Sequence, residues 1–481
     1  MPISRFIKKT IYHIKTTSIF CIIFGFGFSQ ANAPFKFAIS LKGVYESKVS
    51  LIKFDGNSYK QTIYSAEGIY SKTEIKLEEK DLPGQFVLRF DYKKKPGDQP
   101  YPAEIPIFLS KQNITWEINP LYASGDSLDL TNDPENYLFR YFSQQSVVKR
   151  KKMEALENVI LQFGISNKSM FKQVVKEYEK QRSNYNAWID SLVSKNNSLF
   201  VSHLIVLSKI PKTNWSLSGD ELIQNKIDHF LDFVDFNDSL LPRLQDMNTM
   251  MNRYMVMHSG LNKSRDELKD VFVSTGEYLL QKASTGHPLV YGWMADFLYR
   301  GFEQFGINKG MLMLKKHIDN PNCLTQKKLA IETRLQGIER LKPGAKTPDF
   351  EMSLTSGEQT SFYDFKGKQA KYKLLLFWSA DCQHCLNLVN QLNEWFSQKQ
   401  NSGWMDIIAI SLDTPDNIKK WEAEIPKLKG WIHIHPEGDI NSKAASEYAI
   451  LSTPVFFLID SKDHTIIETG SDFSLISKIF E

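Results

Sequence analysis

Two cysteines separated by two residues, Cys382 and Cys385, are the side chains of this chain best suited to chemistry. They follow the apolar run Tyr372–Trp378, which has the length of a strand, and a pattern of helical period begins with them. This arrangement puts Cys382 at a helix N-terminus, where free N–H groups and the helix dipole favour a thiolate. Cys385 lies one turn further along the helix, close enough to attack a mixed disulfide on Cys382. The spacing therefore predicts a thiol pair that exchanges disulfides with another protein.

Two residues beside these thiols act on a Cys382 thiolate in opposite directions. His384 lies between the cysteines and can stabilise the thiolate by charge and hydrogen bonding, which would make the disulfide more oxidising. The alternative interpretation of His384 is an exposed loop residue without a role. Asp381 directly precedes Cys382, and a neighbouring carboxylate disfavours a thiolate. Because the two effects oppose each other, the motif is consistent with a reductant and with an oxidant.

Three other patterns fit structural roles better than chemical ones. Cys323 is expected to be a small, partly buried side chain near a helix end. His433 and His435 share one face of a predicted strand, but no third ligand lies near them in the sequence, so no metal site is predicted. A methionine cluster is consistent with a soft-metal site or with a groove that binds client proteins, but packing between helices is the preferred interpretation. The cluster comprises Met250, Met251, Met255 and Met257.

The N-terminus has the three regions of a secretory signal peptide. Four basic residues come before the eleven-residue apolar run 18–28, and a segment with small residues follows at 29–33. The prediction is a signal peptide over residues 1–31, cleaved after Ala31, and export to the periplasm. An uncleaved membrane anchor is the alternative, although eleven apolar residues are short for a membrane span.

Removal of residues 1–31 changes the charge balance of the chain. The segment holds four of the 59 Lys and Arg residues and none of the 55 Asp and Glu residues, so 55 basic and 55 acidic residues remain. A formal net charge of zero gives no electrostatic footprint for nucleic acid. No later stretch is long and apolar enough to span a bilayer. The mature protein is therefore expected neither to bind nucleic acid nor to span a membrane.

The period of the apolar residues divides the 481 residues into three parts after the signal. Residues 34–130 carry alternating patterns and turn signals, which predict a small antiparallel sheet or sandwich. Residues 134–340 have helical period, and capping-box patterns predict helix starts at Ser218 and Ser264. Residues 341–481 alternate strands with helices, beginning with a βαβ unit and ending with a hairpin and a helix. The fold class is thus a β-sheet or sandwich, an all-α region and a C-terminal α/β domain of thioredoxin topology.

The last domain resembles the TlpA/ResA-type thioredoxin-like proteins, which are exported thiol–disulfide oxidoreductases. The resemblance rests on motifs that come in the right order: Pro343-Gly344, Phe377-Trp378, the cysteine pair, and Thr453-Pro454 ahead of an apolar strand. It covers about residues 341–481. The β-sheet and helical regions resemble the modules that precede this domain in some exported bacterial members.

The resemblance implies a site built around a redox-active disulfide between Cys382 and Cys385, with no other cofactor. It implies a cis bond at Thr453–Pro454, facing the cysteines and shielding them from metal ions. The predicted site also includes three residues that modulate the cysteine pair or face the substrate, Trp378, Asp381 and His384.

This chain departs from the family pattern at one position of the site. The family usually has a Glu three residues after the second cysteine, where it helps to deprotonate the resolving thiol, and this chain has Leu388 there. No acid is therefore assigned to general-base work, and slow turnover or a complete loss of catalysis is consistent with this change.

The leading hypothesis is an exported thiol–disulfide oxidoreductase that acts on client proteins with thiols or disulfides. Because the exported compartment is oxidising and the family members are mostly reductants, reduction is the expected direction. Reduction requires a membrane or periplasmic electron donor, and oxidation would require an acceptor. One alternative is a partner-binding module with a weak or vestigial redox domain, which Leu388 favours. The other is a periplasmic copper-handling protein, which the predicted cis-proline segment disfavours.

Overall fold

A computed structural model describes nine stretches of the chain. They are residues 35–54, 60–122, 128–163, 168–261, 263, 265–355, 357–399, 405–450 and 453–480. The predicted signal peptide, residues 1–31, and the predicted helix cap Ser264 lie outside the described residues.

The N-terminal region is a β-sandwich. Its strands are β1 Phe35–Leu41, β2 Glu46–Phe54, β3 Lys60–Ile69, β4 Lys72–Leu77, β5 Gly84–Lys93, β6 Tyr101–Leu109 and β7 Ile114–Ile118. They form two sheets, in the orders β4-β1-β7 and β3-β2-β5-β6, around one shared apolar core. The predicted antiparallel pairing is wrong for β1 and β7, which pair in parallel. The chain passes through the other sheet between these strands, and no hairpin forces them to run in opposite directions.

The central region is helical and has its own apolar core. Its helices are α1 Pro134–Phe163, α2 Lys168–Lys195, α3 Val201–Leu207, α4 Gly219–His229, α5 Gln245–Met257, α6 Arg265–Ser284, α7 Pro288–Gln304, α8 Asn308–Ile318 and α9 Lys328–Arg340. Helix α4 begins as predicted, but the Ser218 side chain does not cap it. The following residue, Gly219, has a φ of +53°, so the first turn departs from the geometry of a capping box.

The methionine cluster and Cys323 have the structural roles that were preferred for them. Met251 is fully buried in the helical core, and Met250, Met255 and Met257 pack against that core. Cys323 is buried between α8 and α9, where burial raises the pKa of its thiol to about 11. Among the described residues, no helix combines the length and the apolar composition that crossing a membrane requires.

The C-terminal region is a five-stranded sheet with helices on both faces, beside a small β8–β9 hairpin. Its elements are β8 Glu351–Ser353, β9 Gln359–Ser361, β10 Tyr372–Trp378, α10 Gln383–Lys399, β11 Met405–Ser411, α11 Ile418–Glu424, β12 Ile432–Ile434, α12 Lys443–Glu447, β13 Val455–Asp460, β14 Ile466–Gly470 and α13 Phe473–Phe480. The strand order is β12-β11-β10-β13-β14. Strands β10, β11 and β12 are parallel, and β13 and β14 are antiparallel to their neighbours. The predicted fold class is confirmed.

The central strand β10 is apolar throughout because both of its faces are covered. Leu374, Leu376 and Trp378 belong to the core on one side of the sheet, and Leu375 and Phe377 belong to the core on the other side. A strand buried on both faces reads as a continuous apolar run rather than an alternating one.

Side-chain contacts join the helical region to the C-terminal domain. Arg334 of α9 donates from Nη1 to the carbonyl oxygen of Ala449 (3.1 Å) and pairs through Nε with Glu303 of α7 (3.2 Å). A Cβ placed on Gly306, just after α7, would lie 3.4 Å from the Ser471 hydroxyl, so α7 ends against the C-terminal domain.

Candidate active site

Cys382 lies at the junction between the central strand and the helix that follows it. Strand β10 ends at Trp378, and α10 begins at Gln383. The backbone N–H of Cys385 donates to the Cys382 sulfur (3.2 Å), and the Cys382 thiol donates to the Thr453 carbonyl oxygen (3.7 Å). Cys382 is partly exposed. The first cysteine thus combines access from solvent with an N–H donor of the kind that a thiolate accepts.

Cys385 is the inner thiol of the pair. Its side chain is 0% exposed and packs in the apolar core beside Trp378 and Leu388. Burial raises the pKa of Cys385 well above the ordinary value, and its hydrogen bond with Cys382 acts in the same direction. Both cysteines are free thiols in this structure. Of the two thiols, only Cys382 is thus placed where another molecule can reach it.

The Thr453–Pro454 segment covers the cysteine pair. Its peptide bond is cis, as the resemblance predicted. Val455, the first residue of β13, pairs with Phe377 of β10, so this segment and the cysteines lie at the same edge of the sheet. The contact between the Thr453 carbonyl and the Cys382 thiol places backbone beside the outer sulfur.

The Asp381 carboxylate is paired with a lysine that the sequence interpretation did not include. It forms an ion pair with Lys420 of α11 and accepts a hydrogen bond from Asn417 Nδ2 (3.2 Å). Its negative charge is thereby partly compensated, which weakens its repulsion of a Cys382 thiolate. His384 lies exposed in the first turn of α10, beside the pair.

Trp378 does not face a client in this structure. The sequence interpretation placed it among the modulating or substrate-facing residues, but it is 0% exposed and packs in the core with Cys385. The reason is its position as the last residue of a central strand that is covered on both faces.

A buried carboxylate holds the loop that carries the cysteines. Asp413 accepts hydrogen bonds from the Ser379 hydroxyl (2.7 Å), the Ala380 N–H (2.9 and 3.1 Å) and the Ser411 hydroxyl (2.8 Å). The sequence interpretation missed this residue. A signal was present, because Asp413 lies two residues after the end of β11, and the carboxyl ends of the parallel strands β10 and β11 meet at one edge.

The position of the missing glutamate is filled by a buried apolar side chain. Leu388 is 4% exposed and packs in the same core as Cys385, so it offers the inner thiol no proton acceptor. This agrees with the departure from the family pattern.

The two histidines near β12 contact separate backbone carbonyls. His433 Nε2 lies 3.4 Å from the Leu428 oxygen, and His435 Nε2 lies 2.8 Å from the Asp413 oxygen. Across the described ranges, no group of three or more His, Cys, Asp or Glu side chains is arranged to hold a metal ion.

Comparisons with known proteins agree with this geometry. Residues 343–468 match the AhpC/TSA family. The C-terminal domain is a thioredoxin-like domain. The chain is 29% identical over 130 residues to the thiol-disulfide oxidoreductase ResA of Bacillus thuringiensis, which covers 27% of this chain and 70% of that protein. It is 27% identical over 125 residues to the thioredoxin-like protein YneN of Bacillus subtilis, covering 25% of this chain and 68% of that one.

A solved structure of a thioredoxin-like protein from Bacteroides caccae also aligns with the chain. It has a TM-score of 0.37 and 15% identity, and the alignment covers 55% of this chain and 93% of that one. The family match and the similarity to ResA both fall on the thioredoxin-like domain, which is therefore similar to thiol–disulfide oxidoreductases.

Proposed function

We propose that this protein is exported and reduces disulfides of client proteins through Cys382 and Cys385. The observation that carries the proposal is the difference between the two thiols. Cys382 is accessible beside the Thr453 carbonyl, and Cys385 lies buried directly behind it, with its N–H 3.2 Å from the Cys382 sulfur. Two-step disulfide exchange requires an accessible thiol that attacks the client and a second thiol close enough to attack the resulting mixed disulfide.

The exchange proceeds in two balanced steps. The Cys382 thiolate attacks one sulfur of a client disulfide, forms a mixed disulfide, and releases the other client sulfur as a thiolate that takes up a proton. The Cys385 thiol then loses its proton and attacks the Cys382 sulfur. This step forms the Cys382–Cys385 disulfide and releases the second client thiol. The client gains two electrons, which the cysteine pair loses, and no further cofactor takes part.

Continued turnover requires a dithiol donor that returns two electrons to the oxidised pair. Because an exported compartment is oxidising, that donor must draw its electrons from the membrane or from a periplasmic carrier. The ion pair with Lys420 weakens the effect of the Asp381 carboxylate, which disfavours a Cys382 thiolate, and leaves the opposing effect of His384. The direction of electron flow depends on the reduction potential of the cysteine pair that results.

The first test measures this potential by equilibration with glutathione and trapping of the remaining thiols. A value near that of thioredoxin, about −270 mV, supports the reductant. A value near that of DsbA, about −120 mV, would make the protein an oxidant and overturn the proposed direction. A pair that forms no disulfide would overturn the exchange itself and leave the partner-binding module, which the buried Leu388 favours.

The second test traps the clients. Cys385→Ser should accumulate mixed disulfides with client proteins on Cys382, because the resolving thiol is missing. Cys382→Ser is the matched control and should trap none. N-terminal sequencing of protein recovered from the periplasm tests export, with cleavage after Ala31 as the expected result.

A further inference from the structure

A groove in the helical region is lined mainly by apolar side chains. It has a volume of about 960 Å³ and lies between α5, α6 and α7. Its apolar lining includes Met255, Val256, Phe272, Phe297, Phe302 and Phe305. Val256 is 67% exposed and Phe305 is 65% exposed. Large apolar side chains exposed around one concave surface are typical of an interaction site.

A glycine keeps space open within the groove. Gly301 lies four residues after Phe297 and four before Phe305, the C-cap of α7, so the three lie on the same side of this helix and its end. A Cβ added to Gly301 would meet no atom within 4 Å. Glycine destabilises a helix interior relative to alanine, yet here it leaves room for a side chain from another molecule.

The groove adjoins the edge of the sheet that carries the cysteines. Phe305 lines the groove, and the next residue, Gly306, abuts Ser471. Ser471 follows Gly470, which pairs with Phe456, two residues after Pro454. Two strand spacings, roughly 10 Å in all, separate β14 from the cysteine-bearing strand β10.

A second contact ties the groove wall to the cis-proline segment. Glu303, which lines the groove, pairs with Arg334, and Arg334 donates to the Ala449 carbonyl. Ala449 lies five residues before Pro454 in the chain. The end of α7 is therefore linked through Arg334 to Ala449, before Thr453–Pro454, and it also lies against Ser471, which follows β14.

We infer that this groove binds an apolar segment of the same client polypeptide whose disulfide Cys382 attacks. The inference rests on the proposed function. Its occupant is an extended client segment with bulky apolar side chains, because the lining is apolar and because the Phe305 end of the groove lies beside Ser471, next to the edge strand β14 of the sheet that carries the cysteines. The path from Cys382 crosses about 10 Å of sheet and about 10 Å of helix. An extended chain covers this distance in roughly six residues.

The test uses the full reduced chain and two synthetic peptides. Each peptide carries one cysteine in a mixed disulfide with 5-thio-2-nitrobenzoate, whose release is followed by absorbance. One peptide has Leu-Phe-Leu six positions from the cysteine, prepared on either side of it, and the other has three serines there. In single turnovers, half-saturation with the apolar peptide should need at least a tenfold lower protein concentration than with the serine peptide.

Variants locate this preference in the groove. The double variant Val256→Ser/Phe305→Ser should abolish the tenfold difference, because both side chains line the groove. Gly301→Trp should do the same by filling it. The rates with the serine peptide should stay unchanged in both variants. Val148→Ser/Leu329→Ser is the matched control, since both side chains are exposed outside the groove, and Gly301→Ala is the control for the helix.

Several outcomes would overturn the inference. The first is half-saturation at the same protein concentration with both peptides. The second is a preference for the apolar peptide that persists in both groove variants. The third is that the groove variants dissociate a dimer of the chain while the preference for the apolar peptide persists. The last result would assign the groove to a second copy of the chain.

A failure of the proposed function would give a different result. If neither peptide is reduced, the disulfide exchange fails and fluorescence anisotropy of labelled peptides decides about the groove. Binding of the apolar peptide that is lost in the groove variants supports the inference, and equal binding of both peptides refutes it.

Discussion

Resolution of a mixed disulfide by Cys385 should be slow at neutral pH and should accelerate tenfold for each unit of pH. Only the thiolate attacks a disulfide, so the rate follows the deprotonated fraction of Cys385. Burial raises the pKa of this thiol, which means that its thiolate fraction keeps growing above the pH at which an exposed thiol is already ionised. The logarithm of the rate should therefore rise with a slope of one up to at least pH 9.

The expected reduction in the resolution rate can be worked out from the thiolate fraction of an unperturbed cysteine. A cysteine with a pKa of about 8.5 is roughly 3% thiolate at pH 7. The thiolate fraction of Cys385 at pH 7 is smaller, because burial raises its pKa. Its resolution rate at pH 7 should therefore lie more than about thirtyfold below the rate of the fully deprotonated thiol. Leu388, one turn away in the same core, provides no carboxylate to take the proton.

The assay is stopped-flow absorbance with 5,5′-dithiobis(2-nitrobenzoate) between pH 6 and pH 9.5. Attack by Cys382 releases one 5-thio-2-nitrobenzoate, and attack by Cys385 on the resulting mixed disulfide releases a second. The Cys385→Ser variant lacks the second phase and identifies it. A second phase that is independent of pH, or that reaches a plateau below pH 8.5, would refute the reasoning about the buried thiol.

Three further substitutions have expected outcomes. Leu388→Glu should speed the second phase at pH 7 severalfold relative to the Leu388→Gln control, while loss of the buried leucine costs about 2–4 kcal/mol in urea unfolding. Asp413→Asn removes an acceptor from the loop before Cys382 and should lower the free energy of unfolding by about 1.5–3 kcal/mol, more than Ser411→Ala does. Arg334→Met leaves Glu303 unpaired and should cost about 2–3 kcal/mol, much of which the double variant with Glu303→Gln should recover.

The parts of the site that could be predicted are those that local sequence determines. An apolar run, three intervening residues and then a Cys-x-x-Cys with a helical period favour a strand-to-helix junction at Cys382, and β10 and α10 lie there. The inner position of Cys385 follows from the helical period, which turns it toward the core with Leu388.

The remaining features depend on contacts between distant parts of the chain. Lys420 lies 39 residues from Asp381, on α11, and no local pattern connects their charges. Trp378 is expected from the sequence to modulate the pair or face the substrate, but its exposure is decided by the helices that cover the sheet. The parallel pairing of β1 with β7 likewise depends on the path of the chain through the second sheet.

The buried resolving thiol and the apolar groove have a joint consequence for client choice. A mixed disulfide that Cys385 resolves slowly persists, and during that time the client can dissociate only if its own thiol reverses the attack. Contacts outside the cysteine pair then decide which clients remain bound long enough to be resolved. The groove between α5, α6 and α7 is suited to supply such contacts, because the end of α7 is linked through Arg334 to Ala449 and lies against Ser471 of the C-terminal domain. A Leu388→Glu variant should therefore discriminate less between apolar and serine peptides than the parent chain, since faster resolution shortens the time over which binding is compared.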